Sequence, residues 1–115
     1  MILDWSRLNG LKQGDEEEDR LWLEDMIRSL RKNMNVRLDN IKSFAAQRKS
    51  EELRAELHQT KGVAANFGLA ALQAKVTEAE AKLKQGDLAT CLTLCEDLPV
   101  IWEKTKTELE TKFPE

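Results

Sequence analysis

The chain has one histidine, His58, and the residues around it are those whose types and spacing suit chemistry. Lys61 follows three positions later and Gly62 four positions later. On a helix, positions i, i+3 and i+4 are neighbours, so a helical stretch puts an imidazole, an ammonium and a bare backbone site on one patch. The imidazole is a nucleophile. The cation favours an anionic group bonded to it, and the missing side chain leaves room for whatever delivers that group. Phosphoryl transfer needs mostly positioning and charge stabilisation, with little covalent machinery from the protein. The chemistry this patch suits is the holding of a phosphoryl group on His58.

A carboxylate enters the patch on geometric grounds. Gly68-Leu69 reads as a turn between two helical stretches. In an antiparallel hairpin centred on residue 69, residues whose numbers sum to 138 lie opposite one another. His58 then faces Glu80, and Arg54 faces Lys84 one turn further along. A neutral imidazole has one N–H and one lone pair. A carboxylate that accepts Nδ1–H leaves the lone pair on Nε2 and raises its basicity. It also stabilises the positive charge the ring gains on phosphorylation. Lys61 is the expected cation for the phosphoryl oxygens, and Gly62 the expected clearance for an in-line approach.

Each residue also has an ordinary use. A lone histidine on a helix is more often structural or merely exposed than catalytic. A lysine at i+3 is common on any solvated helix. The run Glu78-Ala79-Glu80-Ala81-Lys82 would place a carboxylate near many points. Gly62 is harder to explain away, since glycine inside a helix costs about 1 kcal/mol relative to alanine.

Helices must position these groups. The chain has 115 residues, five glycines, two prolines and no β-branched alternation. Asp4 caps a short helix over Trp5 to Leu8, stopped by Asn9-Gly10. Gln13-Gly14-Asp15 connects to a long helix from about Glu16 to Gln47. Its apolar seam is Leu23, Ile27, Leu30, Met34, Leu38, Ile41 and Ala45, with its weakest propensity at residues 33–36. Ser50 is the expected N-cap of a third helix that carries His58 to about Phe67. A fourth runs from Leu69 to Gln85, with Leu72, Val76, Ala79 and Leu83 inward. A fifth starts near Leu88, and Pro99 predicts a kink or restart near Leu98. The resulting fold class is all-α, an antiparallel four-helix bundle with a short extra N-terminal helix, in one domain over residues 1–115. Trp102 reads as core. Trp5 and Trp22 are expected to pack the first helix, or else Ile2, Leu3 and Trp5 form an apolar rim beside His58.

Composition narrows the partners. Acidic residues number 21 and basic ones 18, for a net charge of −3. There is no basic excess to hold nucleic acid. No apolar run approaches membrane-spanning length, and the start Met1-Ile2-Leu3-Asp4 lacks a signal-peptide pattern, so a cytoplasmic, free-standing monomer is expected. Cys91 and Cys95 lie four apart with no further ligand to complete a metal site, and read as small seam fillers. No metal site is expected.

His58-Gln59-Thr60-Lys61-Gly62, followed by Ala65-Asn66-Phe67-Gly68, resembles the signature of histidine-containing phosphotransfer domains, His-x-Leu-Lys-Gly with an Ala-Asn-Leu-Gly continuation. Glu80 and Gly86-Asp87 also fit that family's spacing, and the likeness spans essentially the whole chain. The resemblance implies a four-helix bundle that takes a phosphoryl group from a receiver-domain aspartate, of a hybrid kinase or a response regulator, and passes it to another receiver. It implies His58 as phosphoacceptor, Lys61 as phosphate support, Gly62 as clearance and Glu80 as the partner of Nδ1. Mg²⁺ is then held by the receiver, and no cofactor by this chain. Thr60 departs from the usual Leu, and Leu69 from a common Ala, which bears on packing and partner choice.

Two other readings compete. One is a non-catalytic bundle that binds a receiver or other partner without phosphotransfer. The other makes His58 and Glu80 a general acid–base pair, which requires a deep pocket and a second catalytic group. The chain has no Gly-rich nucleotide loop and no Asp/Asn set for Mg²⁺–ATP, so autokinase activity is not expected.

Overall fold

In the computed structural model, which describes residues 1–11 and 17–114, six helical segments follow one another: α1 (Trp5–Asn9), α2 (Glu17–Ala46), α3 (Ser50–Asn66), α4 (Ala70–Lys84), α5 (Leu88–Cys95) and α6 (Leu98–Glu110). No strand occurs among the described residues. The connector at Gln13-Gly14-Asp15 lies outside them.

Local chemistry sets the ends. The Asp4 carboxylate accepts from the Arg7 N–H and caps α1, and Asp87 does the same for α5 through Thr90. Carboxylates at Glu17, Glu18 and Asp19 fill the first turn of α2, where the helix dipole favours them. The ends of α2, α3 and α4 share one device. A residue with positive φ stands just past the helix: Arg48 (54°), Gly68 (68°) and Gly86 (81°). The N–H of the following residue then reaches back five positions, as in Leu69 N–H to Ala64 O at 2.8 Å. Ser50 is not the N-cap expected of it. Lys49 takes that position, without a side-chain bond, because the α2–α3 turn tightens around Arg48 and Ser50 already starts the helix. The last arm restarts at Leu98. Pro99 has no N–H to extend α5, but it is tolerated in the first turn of α6.

Helix α2 runs unbroken through residues 33–36, and at about 1.5 Å per residue its 30 residues span most of the molecule's 48 Å length. Leu23, Ile27, Leu30, Met34, Leu38 and Ile41 are all buried along its seam, within one continuous core. Helix α6 lies against it, with Trp102 Nε1 donating to Asn35 Oδ1 (2.7 Å) and Arg31 donating to Phe113 O. Arg37 ties α2 to α3 through Glu56 (3.2 Å) and Gln59 (3.1 Å), and Lys75 ties α4 to Asp97 (3.3 Å). Trp102 is core, as its spacing predicts. Cys91 and Cys95 are free thiols buried in the seam, where burial pushes the Cys95 thiol up to about 12 and so keeps it unreactive.

The N-terminal segment, residues 1–4, closes the α3–α4 turn. Asp4 N–H donates to Gly68 O at 2.7 Å, and Ala71 N–H to Ile2 O at 3.2 Å. Leu3 is buried in the core, so it forms no rim beside His58. It lies at the far end of α3, about 15 Å along the helix at 1.5 Å per residue. Trp5 sits half-buried, donating to Glu108 (3.2 Å), with the Lys112 ammonium over its ring. No helix among the described residues is long and apolar enough to cross a membrane.

Candidate functional site

His58 projects from the middle of α3, between Leu57 and Thr60, which are both fully buried. Those two anchor the helix face that turns inward, and the imidazole is left on the other side with 67% of its side chain exposed. Its Nδ1 lies 3.0 Å from Glu80 Oε2. The hairpin register deduced from the Gly68 turn therefore brings these two residues together.

Glu80 is almost wholly buried, and both carboxylate oxygens are used. Oε2 faces the imidazole. Oε1 accepts from Lys61 Nζ at 2.5 Å, and Lys84 Nζ stands 3.9 Å from Oε2. Burial by itself pushes the Glu80 carboxyl up, but hydrogen bonds from Lys61 and His58, with the charges of Lys61 and Lys84, outweigh it. The net shift is downward, so Glu80 is a carboxylate at neutral pH. As an acceptor it fixes the proton on Nδ1 and leaves the Nε2 lone pair free.

The Lys61 pairing is a feature that sequence reasoning missed. The register rule puts Lys61 a turn away from Glu80, and only the reach of a lysine side chain closes the gap. The signal was present in the spacing, since Lys61 stands on the same face as His58. Gly62 is exposed, and a Cβ added to it would meet nothing within 4 Å.

An open cleft of about 660 Å³ adjoins the imidazole between α3, α4 and the start of α5. Arg54, Ala55, Leu83, Lys84 and Leu88 line it with His58 and Glu80. It opens to solvent beside an exposed ring. Ser50, a hydroxyl residue, stands on its wall at the start of α3, whereas the Thr60 hydroxyl is buried inside the bundle. Among the described residues no group of three or more His, Cys, Asp or Glu side chains is placed to hold a metal ion. On the α2–α3 side, Trp22 (45% exposed), Met26, Val63 and Phe67 border a second groove of about 370 Å³.

An exposed histidine on a helical hairpin, with Nδ1 held by a buried carboxylate, defines a class of helical bundle built to present an imidazole. The family comparison agrees: the Hpt domain model matches residues 25–111, and the chain belongs to the Hpt domain family. Neither the curated proteins nor the solved structures gave a significant match to this chain.

Proposed function

We propose that this chain is a phosphorelay intermediate, with His58 as the residue that carries the phosphoryl group. Membership of the Hpt family supports histidine phosphotransfer as the activity. The observation that carries the assignment to His58 is its Nδ1 contact with buried Glu80 at 3.0 Å, on a ring that is otherwise open to approach.

In the transfer step, the Nε2 lone pair forms a bond to phosphorus as the P–O bond of a receiver's aspartyl phosphate breaks. The electron pair of that bond leaves on the aspartate carboxylate. The Nδ1 proton stays on the ring, where Glu80 offsets the positive charge gained. Return to a second receiver reverses the step. Lys61 has three donors and spends one on Glu80, so its ammonium serves both the carboxylate and the incoming phosphoryl oxygens. Gly62 leaves room for the receiver. The groove at Trp22, Val63 and Phe67 supplies exposed apolar surface for docking, in place of Leu3. Mg²⁺ belongs to the receiver in this reading, and the chain acts in the cytoplasm as a monomer without an ATP site of its own.

The test is intact-mass analysis after incubation with a phosphorylated receiver domain. One acid-labile, alkali-stable phosphoryl group is expected on the wild type and none on His58→Gln. Folded wild type that gains nothing from a panel of active receivers would leave the chain as a binding bundle.

A further inference from the structure

The cleft beside His58 holds two cations that the transfer step has not used. Arg54 stands one turn before His58 on α3, and Lys84 is on the last turn of α4. Among the described residues Arg54 makes no ion pair or hydrogen bond, and Lys84 makes only the 3.9 Å contact with Glu80. Side chains on a helix lean toward its N-terminus, so the space next to the imidazole is the turn that carries Arg54. The cleft wall bears this out. It contains Arg54 and Lys84, whereas Lys61 is not part of it. Lys61 gives one of its donors, at 2.5 Å, to Glu80.

We infer that Arg54 and Lys84 are phosphoryl-binding residues that set the lifetime of phosphorylated His58, a division of labour in which Lys61 chiefly holds the carboxylate. The inference rests on His58 being the phosphoacceptor. Its physical basis is the loose transition state of phosphoryl transfer. In hydrolysis, water attacks phosphorus, the P–Nε2 bond breaks with its electron pair returning to the ring, and inorganic phosphate leaves. The phosphoryl oxygens carry more negative charge before that step than at its metaphosphate-like peak. Cations on those oxygens therefore stabilise the bound state more than the transition state, and slow the loss. Two carboxylates stand on the cleft wall: Glu80, which is already paired with Lys61 and His58, and Glu51, which opposes the two cations. Glu51 is exposed at the mouth, one turn before Arg54.

The experiment loads the whole chain with phosphoramidate, removes the donor and follows the acid-labile mass with time at neutral pH. Arg54→Gln and Lys84→Gln are expected to shorten the half-life about threefold each, the size that a solvated charge near 4 Å allows. Glu51→Gln is expected to lengthen it, and Arg54→Lys to restore most of the wild-type value. Added salt should shorten the wild-type half-life toward that of Arg54→Gln while leaving the double variant Arg54→Gln/Lys84→Gln nearly unchanged. Unfolding curves that match the wild type exclude a merely structural cause. Normal loading with half-lives unchanged in all these variants overturns the inference and leaves His58 as the acceptor. Failure of folded wild type to load at all, from phosphoramidate or from receivers, overturns the reading of His58 itself.

Discussion

Two glycines six positions apart, Gly62 and Gly68, illustrate opposite reasons for having no side chain. Gly68 is buried at the α3–α4 turn, with φ at 68°, and a Cβ there would lie 2.6 Å from Asp4 O. The protein itself demands that glycine. Gly62 sits mid-helix and exposed, and a Cβ there would touch nothing within 4 Å. Nothing inside the protein demands it, although glycine in a helix costs about 0.5–1 kcal/mol relative to alanine. The first glycine belongs to folding. The second makes sense only through something outside the chain, and it is one turn from the exposed imidazole.

The largest effect on stability is expected at the internal position. Gly68→Ala puts a Cβ into a left-handed conformation and against the carbonyl that receives the N-terminal segment. Its cost should be about 2–4 kcal/mol by chemical denaturation, since both the strain and the lost Asp4–Gly68 hydrogen bond contribute. An unchanged midpoint would show that the N-terminal segment is not docked there in solution.

Next comes the buried carboxylate beneath the exposed face. Glu80→Ala removes the shared partner of Lys61 and His58, and should cost about 1–3 kcal/mol. The pH dependence gives the sign. The native pKa of Glu80 lies below its ordinary value of 4.5, so the unfolded chain binds the proton more tightly. Its stabilising contribution is complete above that value and is lost as pH falls through the depressed native one. Stability measured on acidification should therefore fall less steeply in Glu80→Gln than in the wild type. Equal slopes would mean that the carboxylate gains nothing from its partners.

These two regions were not equally legible in the sequence. The seam of α2 followed from spacing alone, because each of its large apolar residues needed only a helical period to reach the core. The facing of His58 and Glu80 followed from one turn and one register. Three features did not follow. Leu3 is buried because backbone hydrogen bonds pull residues 2 to 4 onto the α3–α4 turn, and such bonds leave no periodic trace. Ser50 has the chemistry of a cap but lost that place to a tighter turn at Arg48, where a non-glycine residue takes positive φ. The Lys61–Glu80 bond depends on side-chain reach, which a register rule based on backbone positions does not count.

A smaller gain is expected at Thr60, which lies under the functional face where the resemblance would place a leucine. It is fully buried, and its hydroxyl has no hydrogen-bond partner among the described residues. Thr60→Val keeps the shape and removes the unsatisfied oxygen, so it should stabilise the fold by about 1 kcal/mol. Phosphorylation of His58 should be unaffected, because the hydroxyl points into the bundle. A loss of stability would mean that the hydroxyl has found a partner in solution.

The smallest change in stability is the most informative about function, and it returns to Gly62. Gly62→Ala should raise stability by about 0.5–1 kcal/mol, because alanine restores helix propensity at a site with open space around it. The same substitution should slow transfer from a phosphorylated receiver, and Gly62→Gln should slow it further, since the added atoms occupy the approach to His58. Loading from phosphoramidate, a donor of only a few atoms, should be nearly unchanged in both. This pattern separates clearance from chemistry: the small donor tests the imidazole, while the receiver tests the space above it. Equal slowing with both donors would place the defect in the imidazole's own surroundings. Unchanged rates with the receiver would show that docking leaves Gly62 uncovered, and would return the glycine to the set of exposed helix positions with no partner to explain them.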